Sequence, residues 1–108
     1  MAAPEPGGDA RHYLAALFEP RSVALIGASG DPAKVGGRLM ENLRGAGFRG
    51  ALHAVNPKHS AIGGVPCVAS IAQLPEGIDL AVIATPAPTV AGLVEECGRH
   101  GIPAVCVI

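Results

Sequence analysis

Two hydrophobic periods alternate along the chain. Ser22-Val-Ala-Leu-Ile-Gly27 is a short apolar run closed by glycine, the pattern of a strand buried on both faces. Beyond a glycine-rich stretch, Val35, Leu39, Leu43 and Ala46 recur at helical spacing, with Gly45 and Gly47 as the stop. Ala51-Leu-His-Ala-Val-Asn56 reads as a second strand, closed by Pro57. Val65 to Val68 reads as a short edge strand, because Gly64 and Pro66 disfavour a central place. Ser70-Ile-Ala-Gln73 has the form of a capping box and predicts a brief helical turn before Pro75.

The second half repeats the alternation. Asp79-Leu-Ala-Val-Ile-Ala84 is a strong strand, and Pro88 suits the first turn of the helix after it. Val90, Leu93, Val94 and Cys97 form one apolar stripe on that helix, which Arg99, His100 and Gly101 finish. Ala104-Val-Cys-Val-Ile108 is the last strand. Upstream, Tyr13, Leu14, Leu17 and Phe18 predict a short helix capped by Asp9 that covers one sheet edge. Met1 to Gly8 reads as a frayed, disordered tail, leaving 9–108 as one domain. The chain stops at Ile108 inside an apolar run, so it reads as a piece of a longer chain.

Strands alternating with helices imply right-handed βαβ units, hence a Rossmann-like three-layer α/β domain with a mostly parallel sheet. Counting the strands at 22–27, 51–56, 65–68, 79–84 and 104–108 as 1 to 5, the expected order is 3-2-1-4-5. That order changes direction between strands 1 and 4, where such sheets bind ligands outside the carboxyl ends of the strands. The loops after Ile26 and after Ala84 should therefore face each other across one crevice.

Composition narrows the function classes. At 108 residues the chain is one domain, and its 49% apolar content supports a packed core. A net charge of −1 argues against nucleic-acid binding through a broad basic surface. No apolar run approaches the ~18 residues of a membrane span, and the N-terminus lacks signal-peptide form. Cys67, Cys97 and Cys106 fit no zinc spacing and read as small buried apolar residues of a cytoplasmic protein. His12, His53, His59 and His100 are scattered, with no metal set.

The candidate chemistry is binding. Gly27-Ala28-Ser29-Gly30 follows the first strand directly, allowing a tight turn whose N–H groups can approach a phosphate. The next helix begins near Gly36-Gly37 and adds its positive end. An NAD site would show G-x-G-x-x-G and an acidic residue closing strand 2. Here the second glycine falls one place late, and strand 2 ends in Val55-Asn56-Pro57-Lys58. A lysine there suits an extra phosphate, that of NADP or the 3′-phosphate of coenzyme A (CoA). Thr85-Pro86-Ala87-Pro88 forms a stiff loop that could line a path for a pantetheine arm. No catalytic set is evident: Ser29 lacks His and Asp partners, and Glu95 and Glu96 read as solvated. No G-K-[ST] follows Gly36-Gly37, which argues against Mg-ATP binding.

Ser22-Val-Ala-Leu-Ile-Gly-Ala-Ser29, Val55-Asn-Pro-Lys58, Gly63-Gly-Val65 and Asp79-Leu-Ala-Val-Ile-Ala-Thr-Pro86, in this order, resemble the N-terminal CoA-binding domain of the NDP-forming (ADP-forming) acyl-CoA synthetases, relatives of the succinyl-CoA synthetase α subunit. The resemblance covers about residues 14 to 108. It implies that Gly27, Ala28, Ser29 and Gly30 hold CoA phosphates. It implies further that Asn56, Pro57 and Lys58 flank the adenosine end, and that Thr85, Pro86 and Ala87 flank the arm. The family interconverts acyl-CoA, ADP and phosphate with acid, ATP and CoA through a phosphohistidine in a later domain. ADP, ATP and Mg belong to a separate ATP-grasp module or β subunit, so this chain is expected to bind CoA or acyl-CoA and not to catalyse alone. Two alternatives stay open: an NADP-binding oxidoreductase domain, and a CoA-binding-like regulatory module of a protein lysine acetyltransferase.

Overall fold

The computed structural model describes residues 19–108. The expected tail at 1–8 and the expected helix around Tyr13 to Phe18 lie outside the described residues. The chain runs β1 (Ser22–Ile26), α1 (Val35–Gly45), β2 (Ala51–Val55), β3 (Ala61–Ile62), β4 (Val65–Val68), a 3-10 turn (Ile71–Gln73), β5 (Leu80–Ile83), α2 (Ala87–Arg99) and β6 (Ala104–Val107). These strands form one sheet of order β3-β4-β2-β1-β5-β6. β1 pairs in parallel with β2 and β5, β2 with β4, and β5 with β6. The five expected strands are thus present in the expected order, and the Rossmann-like α/β reading holds.

The sheet differs from the expectation by one strand. β3 pairs antiparallel with β4, so β3 and not β4 is the edge. The hairpin turns on Gly63 and Gly64, at φ 55° and 82°. Two successive positive φ values are what a two-residue turn between twisted strands requires. Pro66 is accommodated because the β2–β4 ladder starts one residue later, at Cys67.

Alternation along each central strand divides the core. Ala24, Ile26, Val55, Ala81 and Ile83 face α2 and the 3-10 turn, where Ile71, Leu74, Ile78, Cys97 and Ile102 complete a buried cluster. Leu25 and Ala54 face the other way, toward Met40 of α1, Ile62, Val65 and Cys67. Burying a side chain such as Leu25 or Ile83 contributes about 1.5–3 kcal/mol, so central strands without polar positions are favourable only with both faces covered.

Each helix keeps part of its predicted stripe, Leu39 on α1 and Val90, Leu93 and Cys97 on α2, and departs from it elsewhere. On α1 the buried positions are Gly36, Gly37 and Met40, while Val35 is 55% exposed. A Cβ on Gly36 would overlap the Gly27 carbonyl, and one on Gly37 the Asp31 carbonyl. The helix docks by its backbone on the turn after β1, which rotates the buried face away from Val35. On α2, Cys97 is buried and Val90 and Leu93 pack on the core, but Val94 is 41% exposed. Both helices end in a Schellman motif. Phe48 N–H bonds Leu43 O (3.3 Å) beyond Gly47, and Ile102 N–H bonds Cys97 O (3.0 Å) beyond Gly101. Gly45, expected to help stop α1, is its last helical residue. In the capping-box stretch, Ser70 makes no side-chain cap, and Gln73 Oε1 instead accepts from Ala69 N–H (2.9 Å).

Candidate functional site

The site lies where the order changes direction, between β1 and β5. Gly27, at φ 90°, turns the chain out of β1. A Cβ there would sit 2.5 Å from the Ala84 carbonyl and against Thr85 Cγ2. The loop after β1 therefore lies against the loop after β5. Backbone bonds fix the strand ends around it: Gly27 N–H to Val55 O (3.1 Å), Ala84 N–H to Ile26 O (2.9 Å) and Asn56 N–H to Val68 O (2.9 Å). Four carboxyl ends are thus held at one level, and a cavity of about 590 Å³ opens between them.

Its wall brings together Gly27, Ala28, Ser29, Asn56, Pro57, Lys58, Thr85 and Pro86 from the sequence-level site. Gly30 and Ala87 lie off this wall. Asn56 acts as a brace: its Nδ2 donates to Ala28 O (2.8 Å), and its Oδ1 accepts from Lys58 N–H (2.8 Å). The amide thereby fixes the lysine-bearing loop of β2 against the glycine turn. Ser29 Oγ accepts from Asp31 N–H (3.0 Å), and Asp31 Oδ1 from Ala33 N–H (2.9 Å), bracing the path into α1. Thr89 gives its single hydroxyl proton to Pro86 O (2.6 Å), so Thr85 is the donor in the 2.7 Å Thr85–Thr89 bond. These bonds rigidify the loop after β5.

The structure adds wall residues that sequence reasoning missed: Lys34, His59, Ala69, Ser70, Ile71, Thr89, Leu93 and Glu96. Lys34 is the N-cap residue of α1, without a side-chain cap bond, and the first turn of α1 has no acidic residue. The positive end of α1 thus has an ammonium at its N-cap, and the nearby Asp31 carboxylate is bound to Ala33 N–H just before the helix. Glu96, read from sequence as solvated, is half-buried and lines the cavity, whereas its neighbour Glu95 is exposed and paired with Arg99 (3.3 Å). Periodicity alone does not separate adjacent polar residues at the margin of an apolar stripe. His100 Nε2 lies 3.2 Å from Pro75 O and ties the end of α2 to the segment after the 3-10 turn. Cys67 and Cys97 are buried and Cys106 is half-buried; burial pushes the Cys67 and Cys97 thiols above their ordinary range. Among the described residues no three His, Cys, Asp or Glu side chains gather as a metal site.

A glycine turn after β1, a helix N-terminus beside it and a crevice at the reversal of strand order define a doubly wound α/β domain of the kind that binds nucleotides. Residues 21–108 match the family described as CoA binding domain, and the chain belongs to that family. It is 49% identical over 92 residues to the ADP-forming acetate–CoA ligase I of Archaeoglobus fulgidus, covering 85% of this chain and 13% of the relative. It is 40% identical over 99 residues to the α subunit of the ADP-forming acetate–CoA ligase I of Pyrococcus furiosus, covering 88% and 21%. The fold superposes with a TM-score of 0.78 on a dinucleotide forming acetyl-coenzyme A synthetase 1 from Ca. Korarchaeum cryptofilum, solved in complex with phosphate and ADP. That match is 36% identical and covers 82% of this chain and 19% of the other. The chain thus spans a small part of the length of these relatives. No helix among the described residues is long and apolar enough to cross a membrane.

Proposed function

We propose that the cavity between β1 and β5 binds the nucleotide end of CoA, and that the chain serves as the CoA-binding domain of an ADP-forming acyl-CoA synthetase. The observation that carries this reading is the convergence on one cavity of the Gly27–Ser29 turn, of Lys34 at the N-cap of α1, and of Lys58. The turn and the helix end offer N–H donors to the pyrophosphate, and the two ammonium groups supply opposite charge. Gly27 and Gly36 let the turn, the loop after β5 and the start of α1 pack backbone against backbone, which holds the turn and the helix end together at the cavity. Lys58 faces the 3′-phosphate, Asn56 and Pro57 support that end, and Thr85 and Pro86 border the arm.

On this reading the chain's part in the reaction is to hold and orient CoA, the task to which the turn, Lys34 and Lys58 are suited. ADP, ATP and Mg, and the acyl phosphate chemistry, belong to other domains or to an ATP-grasp subunit. Titrating the chain with CoA in a thermal-shift assay tests the reading: stabilisation by CoA, and less by NADPH, is expected. NADPH stabilising more would favour the oxidoreductase alternative. Lys58→Ala should weaken CoA about tenfold, the loss of roughly one charge-assisted hydrogen bond, and dephospho-CoA much less. Equal losses would remove Lys58 from the 3′-phosphate.

A further inference from the structure

The cavity has a second chemical character that phosphates do not explain. Away from the glycine turn it runs between the 3-10 turn and α2, with Ile71 and Leu93 as apolar walls and Ser70 and Glu96 as polar groups. A smaller cavity of about 320 Å³ shares Ile71 and Glu96 and reaches Ala72, Arg99 and His100. The two cavities meet along one groove. The groove exists because a single 3-10 turn, and no full helix, follows β4, leaving that side of α2 partly bare.

The polar groups here differ from Asn56, Thr85 and Thr89 elsewhere on the wall. Asn56, Thr85 and Thr89 are committed to local hydrogen bonds. Among the described residues the Glu96 carboxylate makes no ion pair, and the Ser70 hydroxyl makes no cap bond. A carboxylate is an acceptor only, and repels phosphate. Within a ligand its partner is a donor, an N–H or an O–H. The hydroxyl can donate to an acceptor beside it. Adenine carries that pair on one edge, with the amino group at C6 as donor and the adjacent ring nitrogen as acceptor. Guanine and hypoxanthine present a carbonyl oxygen where adenine has the amino group. The half-buried side chain of Leu93 suits the face of a flat base, with Ile71 as the core residue behind that part of the wall. The position agrees as well, because Asn56 N–H bonds Val68 O and so sets the loop bearing Lys58 beside Ala69 and Ser70. A 3′-phosphate and an adenine leave the same ribose and must lie close together.

We infer that Glu96 and Ser70 are the base-reading residues of the cavity, Glu96 accepting from the adenine amino group and Ser70 donating to the ring nitrogen beside it. The inference rests on the nucleotide reading of the cavity and goes beyond it by assigning the base and what selects it.

The test compares CoA with its deaminated analogue, in which hypoxanthine replaces adenine, by calorimetric titration of the chain. The unmodified chain should bind the analogue about 10- to 100-fold more weakly, the range expected when a carboxylate loses a donor and meets an acceptor. Glu96→Gln keeps the shape and offers both a donor and an acceptor, so its preference should collapse toward unity with its melting temperature unchanged. Ser70→Ala should weaken both ligands. Equal binding of CoA and the analogue by the unmodified chain would overturn the base assignment while leaving the CoA site standing. An undiminished preference in Glu96→Gln would remove Glu96 from that role. A Glu96→Gln loss shared equally by both ligands would instead set Glu96 against the amides of the pantetheine arm. Absence of any CoA binding would overturn the site itself, a result separate from all of these.

Discussion

The residues that define the crevice act mainly through what they leave out or hold still. Gly27 combines a left-handed φ with contact against the loop after β5, and each condition alone disfavours a side chain. Gly27→Ala should therefore cost about 2 kcal/mol or more of stability, from a strained φ together with the overlap on Ala84 O. Urea unfolding would measure it, and a loss under ~0.5 kcal/mol would contradict the close approach of the two loops. Asn56 shows the same economy: one amide joins two loops that carry the candidate phosphate ligands. Its identity was legible in Val-Asn-Pro-Lys, but its bracing role was not, because the Ala28 carbonyl it holds lies 28 positions away in sequence.

At the scale of elements, the helices separate two uses of glycine. Gly36 and Gly37 are required by contact, whereas Gly45, Gly92 and Gly98 have nothing within 4 Å of the place a Cβ would occupy. Alanine lowers the entropy lost on folding by about 0.5–1 kcal/mol per helical position. Gly92→Ala should thus raise the melting temperature by a few degrees, while Gly36→Ala should lower it and displace α1 from the turn after β1. Thermal melts of the two variants read the contrast directly, and a stabilising Gly36→Ala would refute backbone docking of α1. The sequence pattern located both helices within a residue or two. It put Leu39 rightly against the core but Val35 wrongly, and it missed Gly36 and Gly37, because apolar periodicity counts side chains and this interface is made by their absence.

At the scale of the whole molecule, the sheet sorts the three thiols by layer. Cys97 lies on the buried face of α2, Cys67 on the α1 side of the sheet, and Cys106 on outermost β6, half-buried. A thiol-reactive dye should modify Cys106 first and Cys97 last, with Cys97 reacting at the rate of unfolding. Burial raises the Cys67 and Cys97 thiols above their ordinary value, with the charge of Glu96 adding to it at Cys97 and a hydrogen bond with the Asn56 backbone opposing it at Cys67. Their contribution to stability is fully present below the ordinary thiol range and is lost as pH rises through the folded-state values. Stability should accordingly fall on the alkaline side, less steeply in Cys97→Ala compared with its own value at neutral pH. The five parallel strands, both helices and the glycine turn were determined by the chain itself, since each depends on local periodicity, a nearby glycine or a nearby proline. The antiparallel β3, the backbone docking of α1 and the arrival of Lys34, Ser70, Leu93 and Glu96 on one cavity were decided only by tertiary structure. They depend on how far elements distant in sequence approach one another, and no local pattern in the sequence encodes that separation.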